Sequence, residues 1–524
     1  MPYSFTNKHS LTLVLGILVC FYLINGISYL QYQTITSDEA SFYNYAVRFL
    51  KGQPERIYPD VDNSKMPVCV LNTLPRIAEQ LSQPEKVKED GGVSDIMHGR
   101  YITLIISVFT LLYVFKWAHD LYGERAGIFA SFLFSICPNN LSNAGLVTTD
   151  AYSVLFLVAT LYHAWKFCKN RSTANFFILS FCVALSQLVK QSLFHLYVLL
   201  PLCITVFCLV HRIRPSLKAG IVRVLVFVFI NWLVINLGYY FHHSYNNIGA
   251  YKFSSHFFSS LQNVVPLWMP ISLPYSFVQG LDQAKYYDQI GGGFDNLSSF
   301  GKVTILGRSA TGGSFWYYYI VTIFFKTPIP FFIFFGWALW TTVKSWSQPA
   351  FSNILFLAIP VAYYLIIFSF FYKTQCGVRH VIFIYPLLFI FSSKIISFLN
   401  TKIKKGFFIV LNLYALVSVL SYWKNYYPYT NEFIPDKKMA YQYVGASNIE
   451  FLQGGNFLME FLKRNSGVMQ APKRPANGTF VISTEDYLDI WNRHEYDWLK
   501  KYTPVSHVAC TYLVFNITDL ASDR

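Results

Sequence analysis

The chain has 524 residues, of which 54% are hydrophobic, 19% aromatic and only 13% charged. Soluble domains carry roughly 25% charged residues, so there is too little charge here to wet the surface of two or three ordinary globular units. Disordered, collagen-like and small disulfide-scaffold classes are excluded, and the net charge of +15 needs an explanation other than plain solubility. Apolar runs of about 16–22 residues recur from Leu11 to Tyr422, each closed by a short charged or Pro/Gly-containing stretch, the pattern of a polytopic helical membrane protein. The spans are expected at 11–30, 101–118, 126–144, 151–166, 174–190, 193–210, 220–241, 315–342, 353–371, 381–399 and 407–422. That makes about eleven helices, with Lys326-Thr-Pro-Ile-Pro330 interrupting the eighth. Leu11–Leu30 is long enough to span and its start is followed by no small-x-small cleavage site, so it reads as a first transmembrane helix rather than a signal sequence.

The basic residues fall in alternate loops: Lys8; Lys116 and Arg125; Lys166, Lys169 and Arg171; Arg212, Arg214 and Lys218; Lys344; and Lys402, Lys404 and Lys405. This positive-inside pattern puts the N-terminus in the cytoplasm and makes residues 31–100, 242–314 and 423–524 extracytoplasmic. As solvated anchors at helix ends, these clusters imply no nucleic acid. The expected division is a transmembrane unit, 1–422, carrying the two long external loops, and an extracytoplasmic unit, 423–524. In the latter, Thr479–Ser483 and Cys510–Asn516 read as strands around a helix at Glu485–Lys501, a small α/β unit. The polar Glu/Lys stretch at 85–90 and Gly291-Gly-Gly293 mark the two long loops. The nine cysteines lie mostly in apolar runs without CxxC spacing, so neither structural zinc nor a disulfide framework is expected.

Candidate chemistry gathers at the outer ends of the helices. Asp38 and Glu39 stand just beyond the first span, and Asp150 opens the fourth on the same side. Each also fits a helix cap, where a carboxylate is favoured by the helix dipole. Lys65, Arg100, Lys190, Lys326, Arg379 and His380 lie at or near outer helix ends, against the positive-inside trend. Snorkelling explains any one of them; several cations converging on carboxylates suggest an anion site, for which a lipid phosphate is the natural ligand at a membrane surface. GxxxxGK[ST], HExxH and GxSxG are all absent, so a nucleotide-powered pump, a zinc protease and a serine hydrolase lack their parts.

Several short motifs follow in order: Asp38-Glu39, Lys65-Met-Pro67, Gly99-Arg100, Leu121-Tyr-Gly123, Pro138 before Thr148-Thr-Asp150, Phe315-Trp-Tyr-Tyr318 with Lys326-Thr-Pro328, Gly377-Val-Arg379-His380 before Tyr385-Pro386, and Gly445-Ala-Ser-Asn448. Together they resemble the GT-C membrane glycosyltransferases, in the branch of the protein O-mannosyltransferases and the lipid A aminoarabinose transferase. The resemblance implies transfer of a sugar from a polyprenyl-phosphate donor to a lipid, glycan or protein acceptor at the outer face of the membrane, with inversion. It implies Asp38 as base with Glu39 or Asp150 orienting it. Lys65, Lys190 and Arg379 become phosphate ligands, with Arg100 and His380 beside them. No metal or other cofactor is required, although clustered carboxylates could hold a divalent ion. Met66 and Ile449-Glu450-Phe451 depart from the branch's usual motifs. A transporter or lipid flippase would share the span count, but it would place ionisable groups near mid-membrane rather than at helix ends. A structural scaffold would leave the paired carboxylates unexplained.

Overall fold

The computed structural model describes residues 8–57, 62–82, 92–213, 216–291, 302–344 and 348–518. Arg214, the 85–90 stretch and Gly292-Gly293 lie outside them. Six described helices are long and apolar enough to cross a bilayer: His9–Tyr32, Val93–Tyr122, Gln191–Val210, Leu217–Gly238, Phe351–Phe371 and Lys402–Leu420. Leu217–Gly238 exposes Val222, Val224, Leu225, Val228 and Phe229, and Lys402–Leu420 exposes Ile409, Val410, Leu413 and Val417. Apolar faces of that extent suit lipid, since every backbone group along them is bonded within its own helix. The chain is therefore an integral membrane protein, mainly α-helical, with a small sheet near its C-terminus.

By length and composition the described spans number six, or seven with the bent pair Tyr318–Lys326 and Ile329–Lys344, whose axes turn by 110°. Helix also forms at the other four expected positions, in shorter or more polar pieces: Glu124–Ser135, Asp150–Lys169, Thr173–Ser186 and Ile384–Ser392. Hydropathy alone cannot separate these from spans, because Glu124–Ser135 and Ile384–Ser392 are apolar through burial inside the bundle. The 110° break has a local cause. Thr327 precedes Pro328 and is extended (φ −114°, ψ 134°), as the proline ring requires of its neighbour, and Pro330 is tolerated in the first turn of the helix that follows. Gly123 alone separates Val93–Tyr122 from Glu124–Ser135, at φ +94°, a conformation a residue with a Cβ rarely adopts.

The C-terminal segment carries a four-stranded sheet of β3 (Val468–Gln470), β4 (Gly478–Ser483), β5 (Ser506–Val508) and β6 (Tyr512–Ile517), after a hairpin of β1 (Lys302–Ile305) and β2 (Arg308–Thr311). The order is β3-β4-β6-β5, with β3 parallel to β4 and the other pairs antiparallel; Phe480 faces Phe515 and Ser483 faces Tyr512. Strand alternation gives the sheet two apolar faces. Phe480, Ile482, Leu513 and Phe515 pack with Ile434, Val444 and Ile449, while Val481, Val508 and Val514 pack with Phe457, Leu458 and Phe461. The two strands read from sequence are present, but the helix expected at Glu485–Lys501 is not continuous. It stops at Leu488, where Asp489 turns left-handed (φ 53°) and its carboxylate accepts from the Arg493 and His494 amides, and a 3-10 turn follows at Asp497–Lys501.

This segment is tied to the helices near the first loop. Thr34 bonds to Leu452 and Gln453, and the Ser37 amide donates to the Phe451 carbonyl. The Lys326 ammonium, buried at the 110° break, donates to the carbonyls of Tyr427 and Asn448, both at 2.5 Å.

Candidate active site

Asp38 is the residue before the helix Glu39–Leu50, yet its carboxylate makes no capping bond. It turns instead to Arg379, whose Nη1 donates to Oδ2 at 2.7 Å. Glu39 points the other way. Both its oxygens accept from Arg100 (2.8 and 2.6 Å), and they also take the Thr36 amide and hydroxyl and the Val147 amide. Arg100 spends its remaining donors on the carbonyls of Leu30, Gln33 and Thr34. Both side chains are fully buried. The adjacent carboxylates of the sequence thus split: Asp38 faces a cavity, whereas Glu39 and Arg100 are locked in a brace beside it, with no oxygen or N–H left for substrate or phosphate.

Lys65 stands before Met66-Pro67, where the extended Met66 leads into the 3-10 turn Pro67–Thr73. Its ammonium lies 3.7 Å from the centre of the Phe42 ring and is buried, with only 4% exposure. Among the described residues no carboxylate lies within ion-pair distance of it. Arg379 is placed by Gly377, which adopts φ +87° at a spot where a Cβ would come within 2.7 Å of the Ser447 carbonyl oxygen. The amides of Gly377 and Val378 are held by the Tyr318 hydroxyl and the Asn448 side chain, both at 2.9 Å, and the Arg379 guanidinium lies 4.2 Å over Phe451. Lys190, between two helices, pairs with Asp150 at 2.5 Å. Neither Asp150 nor Thr149 makes a side-chain cap, so the capping alternative for Asp150 gives way to the ion pair.

Asp38, Lys65, Lys190, Arg379 and His380 line a cavity of about 550 Å³. Asp150 sits behind Lys190. Burial would raise the Asp38 carboxyl, but Arg379 and then Lys65 outweigh it and hold its pKa below the ordinary 3.8. Burial lowers the Lys65 ammonium, only partly offset by Asp38. The Arg379 guanidinium is held charged by Asp38 and Asp150 against its own burial. His380 is pushed down to about 3 by burial, Lys190 and Arg379. It is therefore neutral at physiological pH and offers a hydrogen bond, not the positive charge expected of a phosphate ligand.

Sequence reasoning missed the wall that the C-terminal segment contributes. Glu450, Glu485, Tyr427 and Phe451 also line the cavity. Glu450 Oε2 accepts from the Thr484 hydroxyl (2.9 Å) and the Glu485 amide (3.0 Å), while its buried Oε1 has no protein partner among the described residues. Burial holds both glutamates above the ordinary carboxylate range, and for Glu485 the Glu450 charge adds to it. Ile449-Glu450-Phe451, noticeable in the sequence only as a departure from a motif, was the available signal. Among the described residues, the groups with metal-ligand spacing are Glu55, His242 and His243, and Asp489, His494 and Asp497; neither includes Asp38, Glu39 or Asp150.

The fold and this cavity define a class: a polytopic helical membrane protein with a cation-rich, carboxylate-bearing pocket at the ends of its helices. Residues 92–238 match the family model of the dolichyl-phosphate-mannose-protein mannosyltransferases, a stretch that includes Arg100, Asp150 and Lys190. No curated protein matches the chain. Among solved structures it is similar to ArnT from Cupriavidus metallidurans bound to undecaprenyl phosphate, at 12% identity and TM-score 0.48, covering 97% of this chain and 99% of the other. It is also similar to the oligosaccharyltransferase AglB from Archaeoglobus fulgidus in complex with an inhibitory peptide and a dolichol-phosphate. There the identity is 12% and the TM-score 0.49, over 80% of this chain and 56% of that one.

Proposed function

We propose that the protein is an integral membrane glycosyltransferase that moves a sugar from a polyprenyl-phosphate donor to an acceptor hydroxyl at the extracytoplasmic face. The observation that carries this reading is Lys65, a buried ammonium that borders the cavity beside Asp38 and Arg379, with no carboxylate of the described residues in ion-pair distance. A buried cation is costly unless an anion meets it, and a lipid phosphate brings both the charge and an apolar tail suited to the surrounding helices. The family match over residues 92–238 agrees with this donor chemistry.

In the reaction, the acceptor oxygen bonds to the anomeric carbon as the carbon–oxygen bond to phosphate breaks. The proton of the acceptor hydroxyl goes to Asp38, and the phosphate leaves with the bonding electrons, its charge met by Lys65, Lys190 and Arg379. One displacement inverts the anomeric centre. Arg379 and Lys190 pair with Asp38 and Asp150. A phosphate that takes over Arg379 frees Asp38 and raises its proton affinity, so donor binding prepares the base. Glu39 and Arg100 are positioning residues for Asp38. A transporter reading would need the cavity's ionisable groups along the middle of the spans, whereas Asp38, Lys65, Lys190 and Arg379 sit in the connections between the long helices.

The test is transfer of labelled sugar from lipid-linked donor in membranes that contain the acceptor. Asp38→Asn keeps the shape but cannot take the proton, so turnover falls about 10²–10⁴-fold while donor binding persists. Lys65→Ala and Arg379→Ala weaken donor binding. Wild-type transfer by Asp38→Asn would remove the assignment.

A further inference from the structure

Outside the cavity, the chain following the helix Leu217–Gly238 turns back on itself through a run of left-handed residues, Tyr240, Phe241, His243 and Tyr245. Side-chain-bearing residues adopt that conformation singly and at some cost. Here it brings two consecutive imidazoles, which normally diverge, to a centroid separation of 4.1 Å at 80°. Glu55 arrives from the first loop, with Oε1 at 3.1 Å from His242 Nε2. The ligand atoms of Glu55, His242 and His243 all lie within 4.8 Å of one another.

We propose that Glu55, His242 and His243 form a binding site for a zinc-class divalent cation that clips the first external loop to the end of the helix Leu217–Gly238. Two imidazoles and one carboxylate are a preferred zinc donor set. Ligand atoms about 2.0–2.1 Å from a tetrahedral ion stand roughly 3.3 Å apart, close to the Glu55–His242 spacing, and rotation of the exposed His243 side chain completes the set. An ion pair with Glu55 would account for His242 alone; it leaves the second imidazole and the left-handed turns without a purpose. His242 Nδ1 is buried and has no hydrogen-bond partner among the described residues, so the ring has one further polar atom unspent.

The loop is built to present the carboxylate. On one side of Glu55 the Pro54 carbonyl accepts from the Tyr45 hydroxyl (3.1 Å), and on the other the Arg56 amide donates to Gln279 (3.3 Å). Arg56 in turn donates to the Lys65 carbonyl at 2.7 Å and to the Ser276 carbonyl. The clip therefore stiffens the support of Lys65 from outside the cavity, which makes it a structural site with no part in the displacement. The other cluster is differently placed: Lys500 already neutralises Asp497, and His494 is 64% exposed.

The experiment is zinc titration of the full-length chain in detergent, after stripping with a chelator, with bound metal counted by elemental analysis and stability followed by thermal melting. One equivalent is expected to bind and raise the melting temperature. Glu55→Gln, which is isosteric, and His243→Ala, which removes an exposed side chain, should each lower zinc affinity by more than the roughly 10–100-fold that loss of an outer partner costs. A wild type that takes up no zinc overturns the proposal. So does equal zinc binding by the wild type and a folded His242→Ala/His243→Ala variant, which would point to the Asp489 cluster.

Discussion

At the residue scale, neighbouring carboxylates have unlike fates. Glu39 accepts five hydrogen bonds with its partner arginine fully buried. Removing its charge strands Arg100, so Glu39→Gln is expected to cost about 3–5 kcal/mol, read as a lowered melting temperature together with lost activity. Asp38→Asn should leave stability nearly unchanged by comparison, because that carboxylate is only half-buried and its partner retains Phe451. A second residue-scale expectation concerns pH. The Glu450 carboxyl is held above 4.5 by burial, so the folded state binds its proton more tightly than the unfolded state does. Its contribution to stability is greatest below pH 4.5 and is lost as pH rises through the raised value. Melting curves between pH 5 and 8 should slope downward with pH, and Glu450→Gln should flatten the slope. Asp38 acts in the opposite sense: its pKa is depressed, so its pairing with Arg379 persists at neutral pH and fails only as pH falls below 3.8. Residue type and position made Asp38, Lys65 and Arg379 legible in the sequence. Which of two adjacent acids faces the cavity was not, because that depends on the rotation of the helix Glu39–Leu50 about its axis. Glu450 and Glu485 lie hundreds of residues from Asp38, and no local pattern announces that they share its cavity.

At the scale of elements, the long lipid-facing helices were legible because their hydropathy is continuous. The shorter ones were not separable, since burial in protein and burial in lipid select the same side chains. The strands at 478–483 and 512–517 were readable from alternation, whereas the helix between them fails at Asp489 for a reason held in hydrogen bonds rather than composition. The turn that carries Arg379 is the most demanding element. Gly377→Ala introduces a Cβ at φ +87° against the Ser447 carbonyl, a strain of about 1–3 kcal/mol that the turn can relieve by shifting Arg379. Donor affinity should fall while the Lys65 side of the cavity is untouched, and a binding titration of Gly377→Ala with lipid-linked donor measures it. Unchanged affinity would mean that the turn does not set the guanidinium's position.

At the scale of the molecule, the orientation rests on the distribution of loop charge. With the segments 31–100, 242–314 and 423–524 outside, a membrane-impermeant thiol reagent added to intact cells should modify Ile290→Cys and spare Lys404→Cys. The reverse pattern would put the cavity on the cytoplasmic side and remove extracytoplasmic transfer with it. The boundary near residue 422 is, in this view, a change of solvent along one folding unit, since the cavity draws its walls from both sides of it.

The ammonium of Lys326 gives that boundary a further meaning. It lies inside the protein at the 110° break, and its two shortest bonds run to carbonyls beyond residue 422. A chain cut before Lys424 would retain the charge and lose both acceptors, leaving an ammonium enclosed at the centre of a bent membrane helix. During synthesis the same condition holds for every ribosome that has passed Leu420 but not Asn448. The bend at Thr327 can be satisfied only once Tyr427 and Asn448 have been made and folded back onto it, so it is this late segment, rather than insertion of the helices alone, that completes the cavity.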